Sequence, residues 1–175
     1  MKTKLCVLMV AALVAWGMKR HYADAGADDL WWILRPTAAL VETVTGVAFV
    51  RVPAEGYVSH ERLFVIEKVC AGINFMIAAF GMLVLARLHR VHSEVSGAVL
   101  VSASLVVSYA AAIGVNAARI AVALWLVGRP PISSVSAAQI HRVEGVVVYF
   151  VALLLLYDLT QRFDRRRVSI GRSSC

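Results

Sequence analysis

Two stretches of this chain, residues 71–86 and 95–113, contain no charged residue. Crossing the hydrocarbon of a bilayer takes a helix of about 17–25 mainly apolar residues. Two further segments approach that requirement. Residues 5–18 are rich in Leu, Val and Ala, and residues 143–159 are apolar except for Glu144 near the start and Asp158 near the end. Segments 5–18 and 71–86 are short for a span unless flanking Lys and Arg side chains snorkel to the interface. Hydrophobic residues make up 60% of the chain, against about 45–50% in soluble domains. The pattern predicts an all-α polytopic membrane protein. It has about four transmembrane helices, near 5–20, 71–88, 95–114 and 143–160, plus interfacial helices and a small extracytoplasmic loop or hairpin.

The net charge of +7 raises nucleic acid as a partner, but the distribution of charge excludes it. Four crossings put the N-terminus, the turn at 87–94 and the tail at 161–175 on one side. That side holds nine Lys and Arg against Glu94, Asp158 and Asp164. The segments 21–70 and 115–142, with Lys19, Arg20 and Glu144 at their borders, hold the other nine basic residues against eight acids. The excess marks the cytoplasmic side and places both termini inside. Lys2, Lys4 and the apolar run before Ala23-Asp24-Ala25 also resemble a cleavable signal peptide. Lys19 and Arg20 intervene before that point, which favours a retained span.

Between the first two spans, Asp28 and Asp29 are placed to cap a helix starting near Leu30. Apolar residues at 30, 33, 34, 41 and 44 recur at helical spacing, so 30–50 reads as an interfacial helix anchored by Trp31 and Trp32. Pro53, Gly56 and the apolar runs around them predict a hairpin or extended loop over 51–69. The apolar run 120–127 is too short to cross, and Arg129-Pro130-Pro131 ends it. It reads as a short helix at the outer surface, which leaves Cys70, Arg119 and His141 on one side.

Those three residues are the parts of a cysteine acyl-transfer site: a nucleophile, an anion stabiliser and a base. Cys70 is expected to open the second span, where a helix N-terminus favours a thiolate. Gly72 lets a substrate backbone come close, and Asn74, four residues on, shares the face of Cys70. Asn116 and Arg119 share a helical face three residues apart, and a charge among Ala117, Ala118, Ile120 and Ala121 is costly without a purpose. Glu144 and Gly145 follow His141 at i+3 and i+4, where Glu144 is placed to hold one ring nitrogen. Cys6 reads as a small core residue and Cys175 ends a polar tail. Three cysteines make no disulfide framework, and no His/Cys spacing reads as a zinc site. In the alternative reading the chain is a non-catalytic assembly subunit or small carrier, with Arg119 and Glu144 as structural or lipid contacts.

Three motifs stand in order: Cys70-Ala71-Gly72, Asn116-Ala117-Ala118-Arg119-Ile120 and His141-Arg142-Val143-Glu144-Gly145. Over residues 60–160 their order and spacing resemble the exosortase/archaeosortase family of membrane cysteine transpeptidases. The short length and the stretch Ala27-Asp28-Asp29-Leu30-Trp31-Trp32-Ile33-Leu34 are most similar to its exosortase K subgroup. The resemblance implies a bacterial inner-membrane enzyme that needs no cofactor or metal. Its implied substrates are exported proteins with a C-terminal sorting signal, in which a short motif, often Pro-Glu-Pro, precedes a transmembrane helix and a basic tail. It implies Cys70 as nucleophile, Arg119 as anion stabiliser and His141 as acid and base. Many members have more spans, so this chain resembles a minimal core.

The charge distribution yields a direct test of sidedness. Reporter fusions after Arg90 and Arg167 are expected to read cytoplasmic, and fusions near Glu55 and Ser134 external. A cytoplasmic signal at Ser134 would separate His141 from Cys70 and remove the site.

Overall fold

The uncharged stretches fold as helix, as their composition demands. The computed structural model describes residues 2–127 and 137–172; for 126–127, 137–144 and 164–172 it describes the backbone alone. Five α-helices follow in order: α1 (Lys2–Asp24), α2 (Trp31–Thr45), α3 (Ile73–Arg87), α4 (Glu94–Val127) and α5 (Ala137–Arg172). A three-stranded antiparallel sheet, β1 (Val50–Val52), β2 (Gly56–Ser59) and β3 (Phe64–Ile66), lies between α2 and α3.

Among the described residues, three segments are long and apolar enough to cross a membrane: Lys68–Arg90, Glu94–Trp125 and Gly145–Phe163. Helix α1 is not among them. It has 23 residues, but Lys2 and Lys4 at one end and Lys19 and Arg20 at the other bracket its apolar stretch. That stretch, 5–18, is about 21 Å long at 1.5 Å per residue, short of a hydrocarbon layer of about 30 Å.

Helices α1 and α3 run antiparallel. Near one end the Lys4 ammonium donates to the His89 carbonyl at 3.4 Å; near the other, Lys19 Nζ donates to Asn74 Oδ1 at 2.8 Å. Between these ties Val7 and Ala11 pack with Phe80, Val84 and Val91. Helix α4 presses on α1 at Gly97, where a Cβ would lie 2.6 Å from Val7 Cγ2, so only glycine permits that approach. The N-terminus and the turn before α4 thus share one end of the bundle, and the segment bearing Cys70 lies at the other. Cys6 lies on the outside of α1 rather than in the core.

Helix α4 differs from the expected span with a separate surface helix after it. It continues unbroken for 34 residues, about 51 Å. Residues 115–127 contain one charge and no proline, and Asn116, Ala117, Ile120, Ala123 and Leu124 form a buried stripe at helical spacing. That stripe packs with α2 and the Cys70 segment, so nothing breaks the helix before Val127. Arg129, Pro130 and Pro131 lie outside the described residues.

Helix α2 packs against the bundle through Leu30, Ile33, Leu34, Thr37, Ala38 and Val41, while Trp31 and Val44 are exposed. Asp28 and Asp29 do not cap it; Leu30 holds that position without a side-chain bond. Asp29 Oδ2 instead accepts the Gly26 N–H at 2.8 Å. Asp28 accepts from Arg51 at 2.9 Å and from the Ala54 N–H at 2.8 Å, which ties the sheet to the start of α2. The Arg51 hydrogen bond and the Ala54 N–H hold the Asp28 carboxyl below its ordinary value. The expected hairpin is present and gains a third strand, with Val50 opposite Val58 and Val58 opposite Val65. Gly56, at φ 110°, backs onto the Ile66 carbonyl with no room for a Cβ.

Pro36 lies inside α2 and has no N–H to offer the carbonyl of Trp32, four residues earlier. Tyr109 of α4 supplies the missing donor: its hydroxyl reaches the Trp32 oxygen at 2.7 Å, and the two rings stack at 5.8 Å. Tyr109→Phe is expected to cost about 1–3 kcal/mol by leaving that carbonyl unpaired. In a Pro36→Ala background residue 36 regains an N–H, so the same change is expected to cost less. Unfolding in detergent of the two single variants and the double variant measures both costs. Equal cost in both backgrounds would refute the exchange of donors.

Candidate active site

A short 3₁₀ turn, Lys68–Cys70, follows β3 directly and carries the cysteine. The Cys70 N–H donates to the Glu67 carbonyl at 2.8 Å, and the Ala71 N–H to the Lys68 carbonyl at 3.0 Å. Gly72 then adopts a left-handed conformation, φ 67°, and α3 begins at Ile73. The left-handed residue redirects the chain from the turn into the helix, and glycine does this without a Cβ penalty. Cys70 therefore lies outside the first turn of α3, contrary to the expectation from sequence. Asn74 consequently does not share a helical face with it. Asn74 is exposed and is held by Lys19.

Cys70 is 5% exposed, while its neighbours Glu67 and Val69 are exposed, so the turn lies at the surface with the cysteine facing in. The end of α1 lies against that turn. The Tyr22 hydroxyl points to the Lys68 carbonyl at 3.4 Å, and the Lys68 ammonium sits 5.2 Å from the Tyr22 ring while bonding the Ala23 carbonyl at 3.1 Å. Burial pushes the Tyr22 phenol up, and Tyr149 and Cys70 add to the shift.

Helix α4 brings Asn116 and Arg119 to this end of the bundle, on one face as their spacing predicts. Asn116 is fully buried, and its Nδ2 donates to the Cys70 carbonyl. Gly72 abuts the same asparagine: a Cβ there would lie 3.5 Å from Asn116 Cβ and 3.7 Å from the Tyr149 hydroxyl. Those are ordinary contact distances, so glycine at 72 serves the chain reversal.

Helix α5 closes the arrangement. Arg119 lies flat on Gly145, where a Cβ would sit 3.2 Å from Nε and 3.3 Å from Cζ. The close approach at Gly145 is made by the guanidinium of a neighbouring helix. Arg119 Nη1 donates to the Tyr149 hydroxyl at 3.0 Å, and that hydroxyl donates to Asn116 Oδ1 at 3.1 Å. Arg119 Cζ lies 5.4 Å from the Tyr149 ring centroid, and the ring packs on Phe75 of α3 at 5.3 Å. Arg119 and Cys70 also interact electrostatically. The backbone of His141 lies one turn before Gly145 in α5; the side chains of His141 and Glu144 lie outside the described residues. His21, His60, His89 and His92 are exposed, none of them part of this cluster.

The structure thus joins Cys70, Gly72, Asn116, Arg119 and Gly145, and leaves Asn74 at the edge. Tyr149 is the member that sequence reasoning missed. Its signal was faint: one hydroxyl in an apolar run, one turn after Gly145 and so on the same helical face. Compared with known proteins, the chain matches no family model, no curated protein and no solved structure.

The glycines of this region predict a contrast in stability. Gly72→Ala forces a left-handed alanine and is expected to cost about 1–2 kcal/mol. Gly114→Ala, in the middle of α4 with nothing within 4 Å of the new methyl, is expected to stabilise by up to about 1 kcal/mol. Unfolding of both variants in the same detergent decides it; a Gly72→Ala variant no weaker than Gly114→Ala would show that the reversal at 72 does not need glycine.

Proposed function

We propose that this chain is a membrane-embedded cysteine transpeptidase or protease, similar to the exosortases. It cleaves C-terminal sorting signals of exported proteins at the outer face of the bacterial inner membrane. The observation that carries the proposal is the junction of three separated motifs at one end of the bundle. Asn116 bonds the Cys70 carbonyl, and Arg119 of the same helix lies on Gly145. Three segments far apart in sequence meet there, and the glycine of the third leaves room for the guanidinium of the second.

In this mechanism a substrate helix enters beside the bundle with its cleavage motif at the membrane edge. The Cys70 thiolate attacks the scissile carbonyl carbon, and the carbonyl oxygen takes the negative charge. Arg119 stabilises that oxyanion with directed N–H donors, of which a guanidinium has five. His141, one turn from Gly145, gives its proton to the leaving nitrogen as the C–N bond breaks. The thioester then passes its acyl group to an acceptor amine or to water, and the thiol returns. No metal or organic cofactor takes part. Sorting signal and membrane lipids are the partners.

Cys70→Ala is expected to abolish processing of a sorting-signal substrate while membrane insertion is kept, and Cys6→Ala and Cys175→Ala to be near neutral. Arg119→Lys keeps the charge but loses the planar fork of donors, so it is expected to lose about 10²–10³ in rate, nearly as much as Arg119→Ala. Mass spectrometry of the new C-terminus and trapping of the acyl-enzyme measure these effects. Processing by Cys70→Ala would rule out the cysteine mechanism, and normal acylation by Arg119→Lys would remove the directed-donor role.

A further inference from the structure

Tyr149 belongs to none of the three motifs, yet the hydrogen bonds of the site run through it. An arginine only donates, so at the contact with Arg119 Nη1 the phenol oxygen must accept. Its single proton is then committed to Asn116 Oδ1. With its carbonyl oxygen engaged, the Asn116 amide turns its NH₂ to the Cys70 carbonyl, which only accepts. The polarity of each of these links is fixed from both ends, with the phenol between Arg119 and Asn116. We propose that Tyr149 is a positioning residue. It fixes the Arg119 guanidinium and, through Asn116, the backbone of Cys70 as one unit, so that nucleophile and anion stabiliser hold one mutual geometry. This rests on the cysteine transpeptidase reading and adds to it a residue outside its motifs.

The ring and the hydroxyl do separable work. Phe75 holds the ring at 5.3 Å from α3, and Arg119 lies near it at 5.4 Å; both contacts survive in phenylalanine. Tyr149→Phe therefore removes two hydrogen bonds and little packing. A misplaced guanidinium meets the transition state poorly but leaves the substrate helix bound as before. Loss of such a supporting hydrogen bond typically costs about 10–100-fold in activity.

The test uses the full chain in proteoliposomes and a synthetic peptide with Pro-Glu-Pro before an apolar helix and a basic tail. Tyr149→Phe is expected to lower kcat by about 10–100-fold with KM within a few fold. Combined with Arg119→Lys, it is expected to add little to the loss from Arg119→Lys alone, because both changes break one unit. A wild-type rate in Tyr149→Phe overturns the assignment, as does a loss that multiplies in full with that of Arg119→Lys or appears in KM alone. Cys70→Ala separates the two levels. If it is inactive while Tyr149→Phe is unaffected, only the positioning role fails. If wild type leaves the peptide intact, or Cys70→Ala cleaves it, both fail.

Discussion

The hydrogen bond from Asn116 to the Cys70 carbonyl sets the geometry of this end of the molecule. It spans 46 positions in sequence, joins the turn after β3 to α4, and is made by a side chain with no exposed surface. A buried amide that loses such a partner costs about 1–3 kcal/mol, so the turn and α4 are held in one register. The other features near the cysteine follow from that bond. Gly72 sits against that asparagine in a left-handed conformation, φ 67°, which favours glycine. Arg119, one turn further along α4, is thereby carried to α5, where Gly145 and Tyr149 receive it.

The energetics of Arg119 explain why α5 has the residues it has. A guanidinium among alanines and an isoleucine is costly unless its hydrogen bonds and its charge are met. Tyr149 meets it with an oxygen at 3.0 Å and a ring face at 5.4 Å. Gly145 lets the guanidinium approach backbone, where a Cβ would push it back by a few tenths of an ångström. These are demands on shape as well as charge, and a lysine satisfies only the second. The same economy appears at Pro36, where a carbonyl deprived of its helical donor takes the Tyr109 hydroxyl instead.

Much of this arrangement was legible in the sequence because it rests on periodicity. The apolar stretches gave helices, and the i, i+3 spacing of Asn116 and Arg119 gave a shared face. What was not legible depends on contacts between distant segments. Continuation of α4 past residue 114 reflects the packing of Ile120 and Leu124 on α2 and the Cys70 segment, whereas a length rule cut the helix at the thickness of a bilayer. Asp28 looks like a helix cap, but Arg51 and the Ala54 N–H, more than 20 residues away, compete for it and win. Tyr149 reads as one more aromatic residue in an apolar run until the partners of its hydroxyl are known.

Helix α1 has an uncharged stretch shorter than a bilayer, yet its far end is built into the site. Lys19 and Lys68 flank the Tyr22 ring at 5.8 and 5.2 Å, and each ammonium is anchored across a segment boundary, to Asn74 Oδ1 and to the Ala23 carbonyl. Two cations on one aromatic ring repel each other, and they stay because each gains a hydrogen bond and a ring face. Removal of α1 would strip Asn74 and Lys68 of these partners and uncover the turn that carries Cys70. The basic residues that end the apolar stretch of α1 thus do more than stop a helix in a membrane; they fasten the wall beside the cysteine.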